Sequence, residues 1–279
     1  MRQLRFTKMH GLGNDFVVVN DLEGDTSPVN PALARRICDR RFGIGADQVL
    51  WLKRPIDSSA DARMEILNPD GSSAEMCGNG IRAVTLELFR KSGKRAGKTA
   101  YVIETLAGLK HVEVRGEGRS VRVDMGRPVL YAEPAGDGEL LRLPSTFVDA
   151  ESIRFFEVNV GNPHAVIFVE DVARFLVEQH GPLIEHHPRF PKRTNVEFVQ
   201  VLGSGCLRVR VWERGTGITL ACGTGACAAV VAALATNRVA GPVTVELPGG
   251  SLRVEWGGPG HSVFLEGPAE ETFRGEFPL

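Results

Sequence analysis

The chain lacks an excess of charge of either sign: 33 Lys and Arg against 34 Asp and Glu leave a net charge of −1 over 279 residues. Without a basic surplus there is no electrostatic case for nucleic acid or an anionic membrane as partner, and a small molecule is the expected ligand. Cysteine is scarce. The five residues (Cys38, Cys77, Cys206, Cys222, Cys227) are odd in number and not closely paired, and the chain is too long to need staples, so a reducing compartment is expected. Met1 to Lys8 is basic rather than apolar, so no signal segment is read there and the cytoplasm is the expected location. His180, His186 and His187 have no zinc-type spacing with cysteines and read as a solvated turn, and no metal is expected. Gly93 to Thr99 has three residues between its glycines where a phosphate loop needs four, and it follows a helix rather than a strand. No motif marks out a lysine for pyridoxal chemistry. No cofactor is expected.

One stretch, Ile218 to Asn237, lacks charge altogether. It is rich in Gly, Ala and Thr and begins at a tight turn, which reads as a buried helix rather than a membrane span.

What is present is a phrase that occurs twice. Cys77-Gly78-Asn79-Gly80 and Cys222-Gly223-Thr224-Gly225 each open a predicted helix, and they lie 222 − 77 = 145 residues apart. Other matches keep nearly the same register. Gly13-Asn14 before an apolar run answers Gly161-Asn162, and Gln48 before Val49 answers Asn195 before Val196. Asn68 answers Glu213, each nine residues ahead of its cysteine, and Gly108 with Val112-Glu113 answers Gly250 with Val254-Glu255. Several matches in register indicate an internal duplication, and with 43% hydrophobic residues each half can bury a core of its own.

Local patterns fill in the halves. Phe16 to Asn20, Gln48 to Lys53 and Arg63 to Leu67 read as strands, and Pro31 opens a helix through Arg41. Ile81, Val84, Thr85, Leu88 and Phe89 give the Cys77 segment helical spacing. Thr99 to Glu104, Lys110 to Arg115 and Val121 to Asp124 read as further strands. The second half repeats the order, with strands near Phe156 to Val160, Ala165 to Val169, Val196 to Val201 and Leu207 to Trp212, a helix from Asp171, and the Cys222 helix. The simplest packing is a curled sheet around an Ala-rich helix in each half. The hydrophilic tract Ala132 to Glu139 is one place for the passage between halves, although the boundary could lie earlier.

A helix N-terminus favours a thiolate over the thiol, whose ordinary pKa is about 8.5. Two such thiols on opposite faces of one carbon could abstract an α-hydrogen and return a proton with inversion. The glycine-rich helix starts offer N–H donors for a substrate carboxylate. Each phrase taken alone also reads as a strand-to-helix turn with an inert thiol. Two copies at matched positions favour chemistry. Cys38, Cys206 and Cys227 lack the glycines and read as core residues.

Carrying these residues, the chain resembles the diaminopimelate epimerase family. The shared phrases are Gly13-Asn14-Asp15-Phe16, Gly43-Ile44-Gly45-Ala46-Asp47-Gln48, Asn68-Pro69-Asp70-Gly71-Ser72 and Glu75-Met76-Cys77-Gly78-Asn79-Gly80, then Gly161-Asn162-Pro163-His164, Arg193-Thr194-Asn195-Val196, Glu213-Arg214-Gly215 and Ala221-Cys222-Gly223-Thr224-Gly225-Ala226. The resemblance implies cofactor-independent epimerisation of LL-diaminopimelate to the meso form. It implies an α+β fold of two pseudo-symmetric domains, each a curled, barrel-like mixed sheet around a buried helix, with the active site in the cleft between them. The lobes are expected at residues 1–119 with 266–279 and at residues 120–265.

By the same carry-over Cys222 is the base toward one enantiomer and Cys77 the acid, with roles exchanged in reverse. Asn14, Gln48, Asn68, Gly78, Asn79, Asn162, Asn195, Glu213, Arg214, Gly223 and Thr224 bind substrate, and His164 and Glu213 tune the thiols. Amide and guanidinium groups suit the distal amino-acid end of such a substrate. Asn68 and Asn162 also read as turn formers. The chain departs from the family pattern at Ile218, where a more polar residue is expected, and at Ala165, often a cysteine. Two rivals stay open: a two-cysteine proline or hydroxyproline racemase, and a thiol redox switch without turnover. The oligomeric state is open as well, with a homodimer as the candidate.

Overall fold

The structure, a computed structural model, describes residues 3–24, 29–93, 97–131, 138–143 and 152–279. It divides into two compact units, residues 1–124 with 266–279 and residues 125–265. Residues 132–137 of the hydrophilic tract lie outside the described residues.

The first unit contains β1 (Gln3–Gly11), β2 (Asn14–Asp21), α1 (Pro31–Cys38), β3 (Gln48–Lys53), β4 (Ala62–Leu67), β5 (Ser73–Ala74), α2 (Gly78–Leu88), β6 (Ala100–Thr105), β7 (Gly108–Arg115) and β8 (Ser120–Asp124), with the C-terminal strand Glu270–Pro278. β1 and β2 are antiparallel, β2 and β3 parallel, β3 and β4 antiparallel, β4 and β6 parallel, and β6 and β7 antiparallel. The C-terminal strand extends the sheet beside β1, and β8 pairs with β7. That last pairing carries the unit to Asp124, beyond residue 119. α2 packs against β1, β2 and β3 and also against β7 and β8, so the sheet curls around it.

The second unit contains β9 (Val129–Leu130), β10 (Glu139–Arg142), β11 (Ser152–Asn159), β12 (Pro163–Phe168), α3 (Val177–Glu185), β13 (Asn195–Gly203), β14 (Cys206–Glu213), β15 (Gly217–Thr219), α4 (Gly223–Ala235), β16 (Val243–Leu247), β17 (Gly250–Trp256) and β18 (Val263–Gly267), the last of which runs past Leu265. From β11 to β17 the strand senses repeat those of the first unit: antiparallel, parallel, antiparallel, parallel, antiparallel. α4 packs against β11, β12, β13, β14, β16 and β17. The duplication read from the spacing is thus a duplication of pairing order.

Burial explains why α4 shows no narrow apolar stripe. Every residue of α2 is buried, including Arg82 and Glu87, and α4 is buried from Gly225 through Ala233. A helix enclosed on all sides needs small or apolar residues all round, and Ala and Val meet that need in α4. No helix among the described residues is long and apolar enough to cross a membrane. The parallel pairs β2–β3 and β12–β13 are crossed over by α1 and α3, which cover the outer face of each sheet. On the first unit Ile37 and Ala34 of α1 meet Val17, Val49 and Trp51; on the second Val177 and Ile184 of α3 meet Ile167 and Phe198.

Two helices are shorter than expected. α1 stops at Cys38 rather than Arg41 because Asp39 leaves the helical region (φ −59°, ψ 120°) and its carboxylate accepts the N–H groups of Arg41 and Phe42 at 2.7 and 2.8 Å. α3 starts at Val177 rather than Asp171, whose carboxylate instead closes a turn onto the Ala173 N–H at 2.9 Å. His180 is buried against the Phe175 ring (4.6 Å between centroids) rather than solvated, while His186 is exposed and His187 half-buried.

α1 is capped by Asn30, whose Oδ1 accepts the Leu33 N–H at 2.9 Å. Asn30→Ala should cost about 1 kcal/mol in urea unfolding, the ordinary worth of such a cap.

Candidate active site

Each unit places its chemistry at the same structural points: the start of the second strand, the start of the third, the end of the fourth, and the N-terminus of the enclosed helix. In the first unit these points carry Asn14, Gln48, Asn68 and Cys77; in the second, Asn162, Asn195, Glu213 and Cys222.

Cys77 is the N-cap of α2. Its backbone is extended (φ −138°, ψ 111°) and its sulfur accepts the Gly80 N–H at 3.2 Å. Cys222 caps α4 in the same way (φ −123°, ψ 115°), with the Gly225 N–H at 3.4 Å. The last glycine of each phrase permits that closeness. A Cβ on Gly80 would lie 3.1 Å from Leu50, and one on Gly225 would lie 2.7 Å from the Glu197 carboxylate. All five cysteines are thiols. Cys38 and Cys227 are buried core residues, and Cys206 is only half-buried, at the start of β14. Burial raises Cys38 to about 11 and raises Cys206 as well.

Around Cys77, side-chain amides form short relays. Asn14 donates to Asp47 at 2.9 Å, while its Oδ1 receives the Asn79 amide at 3.2 Å and faces the Cys77 sulfur at 3.8 Å. Gln48 donates to Asn68 at 2.9 Å, and Asn68 donates to the Ser72 hydroxyl at 3.0 Å. Gln48 Oε1 is buried with no hydrogen-bond partner among the described residues, an acceptor left for a ligand donor.

The anchor of these relays escaped the sequence reading. Asp15 and Asp47, which stand beside Asn14 and Gln48 in the motifs, exchange backbone and side-chain bonds across β2 and β3. Arg40 bridges both carboxylates at 2.7 Å, and the buried Lys8 ammonium pairs with Asp15 and the Gly45 carbonyl. Burial works against the Asp15 carboxylate, but Arg40 and Lys8 outweigh it and hold its pKa at about 2. Adjacency to Asn14 and Gln48 was the available signal.

In the second unit, Asn162 donates to the Thr224 hydroxyl at 3.3 Å, and its Oδ1 lies 2.8 Å from His164 Nε2. His164 Nδ1 lies 2.8 Å from Glu197 Oε1, and both side chains are fully buried. The Thr224 hydroxyl lies 3.5 Å from the Cys222 sulfur. Asn195 bonds to the backbone: its amide donates to the Pro163 carbonyl at 2.9 Å and accepts the Arg214 N–H at 3.0 Å, which ties it to the turn that carries Arg214.

That turn is also clamped by Glu185, the last residue of α3, which carries no sequence signal. Its carboxylate accepts Trp212 Nε1 at 2.8 Å and the Gly215 N–H at 2.9 Å. Burial opposes its ionisation, yet these donors and the charges of His186 and Arg193 hold its carboxyl below the usual range. Among the described residues the Arg214 guanidinium bonds to the Lys192 carbonyl, at 3.4 Å, and Arg214 is exposed.

Cys222 departs from the expectation of a lowered thiol. Burial first, then the charges of Glu213 and Glu197, push it well above its ordinary value, and the Thr224 hydroxyl and Gly225 N–H only partly offset this. Glu213, which accepts the Thr219 hydroxyl at 2.6 Å and bonds to Cys222, is itself pushed up by burial, with Glu197 adding to the effect. A helix N-terminus cannot by itself lower a thiol that has lost its water and faces two carboxyl groups.

The family model for diaminopimelate epimerase matches residues 6–131 and 156–272. A diaminopimelate epimerase of Moorella thermoacetica is 50% identical, over 99% of this chain and 100% of that one. One of Nostoc sp. is 46% identical, over 98% and 99%. Among solved structures, a hydroxyproline epimerase of Agrobacterium vitis superposes with a TM-score of 0.73 at 21% identity, covering 99% of this chain and 92% of that one. A probable proline racemase of Agrobacterium radiobacter gives 0.71 at 18% identity, covering 99% and 93%. At those identities the solved structures show a shared mixed α+β fold.

Two predictions test the anchors. Asp15→Asn strands the buried Lys8 ammonium and should cost about 3 kcal/mol in urea unfolding. Because the folded-state pKa of Asp15 is depressed to about 2 from 3.8, its contribution is present above pH 3.8 and is lost as pH falls toward 2, which a pH series on the wild type and variant would display as converging stabilities. Glu185→Ala leaves the Gly215 N–H unpaired and should accelerate its hydrogen exchange by about tenfold or more.

Proposed function

The chain belongs to the diaminopimelate epimerase family, and we propose that it inverts one α-carbon of LL-2,6-diaminopimelate to give the meso isomer, a lysine and peptidoglycan precursor, with Cys77 and Cys222 as the acid/base pair and no cofactor. The observation that supports this reading is one device built twice: a cysteine sulfur at the N-cap of a buried helix, taking the N–H of a glycine three residues on.

In one direction the Cys222 thiolate takes the α-hydrogen as a proton, and the C–H electron pair moves into the α-carboxylate. The N–H groups of Gly78-Asn79 and Gly223-Thr224 stabilise that charge at the two helix starts. Cys77 then gives its thiol proton to the opposite face. Cys222 ends as thiol and Cys77 as thiolate, the state from which the reverse reaction starts, so the proton count closes. The buried Cys222 needs help to ionise, and Glu213 supplies it: a carboxyl pushed up by burial and bonded to the thiol is a fitting acceptor for its proton.

The remaining groups suit a substrate with a second amino-acid end. Gln48 Oε1 is a buried acceptor for an ammonium, and the exposed Arg214 offers the two parallel donors that match a carboxylate. Asn14, Asn68 and Asn79 of the first unit and Asn162 of the second add further amides. Five thiols accord with a reducing, cytoplasmic setting.

Reduced enzyme incubated in deuterated water with LL-diaminopimelate should place label at the α-carbon, while L-proline stays unlabelled. Label in proline alone would transfer the protein to the proline racemases, and label in neither would leave a redox switch. Cys77→Ala and Cys222→Ala should each lower inversion by about 10³-fold or more with the fold intact by circular dichroism. Full epimerisation by either variant would refute the two-base mechanism.

A further inference from the structure

A buried carboxylate beside a buried imidazole is costly, and a well-packed apolar pair in its place is often as stable or more so. The first unit displays that alternative. Strand register aligns Phe16 with Gln48 and Val18 with Leu50; in the second unit the same register aligns His164 with Asn195 and Val166 with Glu197. His164 therefore stands where the first unit has Phe16, and Glu197 where it has Leu50, all four fully buried. Leu50 and Glu197 also touch the same point of each repeat, the last glycine of the cysteine phrase. The fold does not require charge at these positions. Only the Cys222 half carries it.

The pair is wired to the sulfur. Glu197, His164, Asn162, Thr224 and Cys222 follow one another at 2.8, 2.8, 3.3 and 3.5 Å. With a hydrogen on His164 Nε2, the imidazole donates to Asn162 Oδ1, Asn162 donates to the Thr224 oxygen, and the Thr224 O–H is left to donate to sulfur, which suits a thiolate.

We propose that Glu197 is a positioning residue for Cys222: by holding His164 it fixes the Asn162 amide, which in turn aims the Thr224 hydroxyl at the sulfur. The titratable groups facing Cys222 are Glu213 on β14, Glu197 on β13 and, through the chain, His164 on β12; α4 contributes no charged residue. Glu197 Oε2 has no hydrogen-bond partner among the described residues, so the carboxylate is held by His164 rather than by a wider structural network. The inference rests on the two-cysteine reading above.

The test replaces the pair by its counterpart from the first unit, His164→Phe with Glu197→Leu. The double variant should keep the wild-type melting temperature within a few degrees or exceed it. Its Cys222 should react with iodoacetamide at least about tenfold more slowly across pH 6 to 9, read by mass spectrometry, while Cys77 reacts as before. With diaminopimelate, kcat should fall by about 10²-fold with KM nearly unchanged. Should the double variant not fold, the isosteric Glu197→Gln serves in its place, with the same loss of Cys222 reactivity expected, restored in part by Glu197→Asp. A folded variant whose Cys222 reacts at the wild-type rate would overturn the proposal. Alkylation needs no substrate, so its outcome stands apart from whether diaminopimelate is turned over.

Discussion

The protein depends on a sulfur atom occupying a helix N-cap. A Ser or Asp in that place would satisfy the N–H groups better, and a cysteine there forgoes part of the usual cap energy. What the substitution provides is a nucleophilic, titratable atom fixed where backbone N–H groups converge, at the mouth of a helix that cannot shift because a curled sheet surrounds it. Gly80 and Gly225 let the backbone approach each sulfur, and the strands around α2 and α4 hold each helix start in place.

The two halves use the same scaffold for different environments. The Cys77 side is an amide-rich, partly open surface anchored by Asp15, Asp47, Arg40 and Lys8, whose ion pairs tie the starts of β2 and β3 together. The Cys222 side is buried and acidic, with Glu213 and Glu197 within reach of the sulfur. A symmetric duplication would give two equivalent thiols. The replacement of Phe16 and Leu50 by His164 and Glu197 at the corresponding strand positions breaks that equivalence at the point closest to the helix turn.

Much of this was legible in the chain. The Cys-Gly-x-Gly pair, the amides in register ahead of each copy, and the charge-free segment that became α4 all express local rules: glycine for close approach, strand alternation, and a helix enclosed on all sides. The helix ends were less legible. Asp39 and Asp171 close side-chain turns that a hydrophobic pattern does not reveal, so α1 stopped early and α3 started late. His180 reads as part of a solvated turn because the histidines lack zinc-type spacing with cysteines, but Phe175 covers it.

The sequence by itself determined the duplicated architecture and the family and singled out the two cysteines that cap the enclosed helices, because those follow from spacing and from residue types with few alternatives at a helix start. The tertiary structure decided the electrostatics. Glu197 meets His164 across 33 residues of chain, and Glu185 meets Gly215 across 30, contacts that no local pattern encodes. Whether a thiol is raised or lowered depends on the water it loses and the charges it faces, and both are set only when distant strands come together.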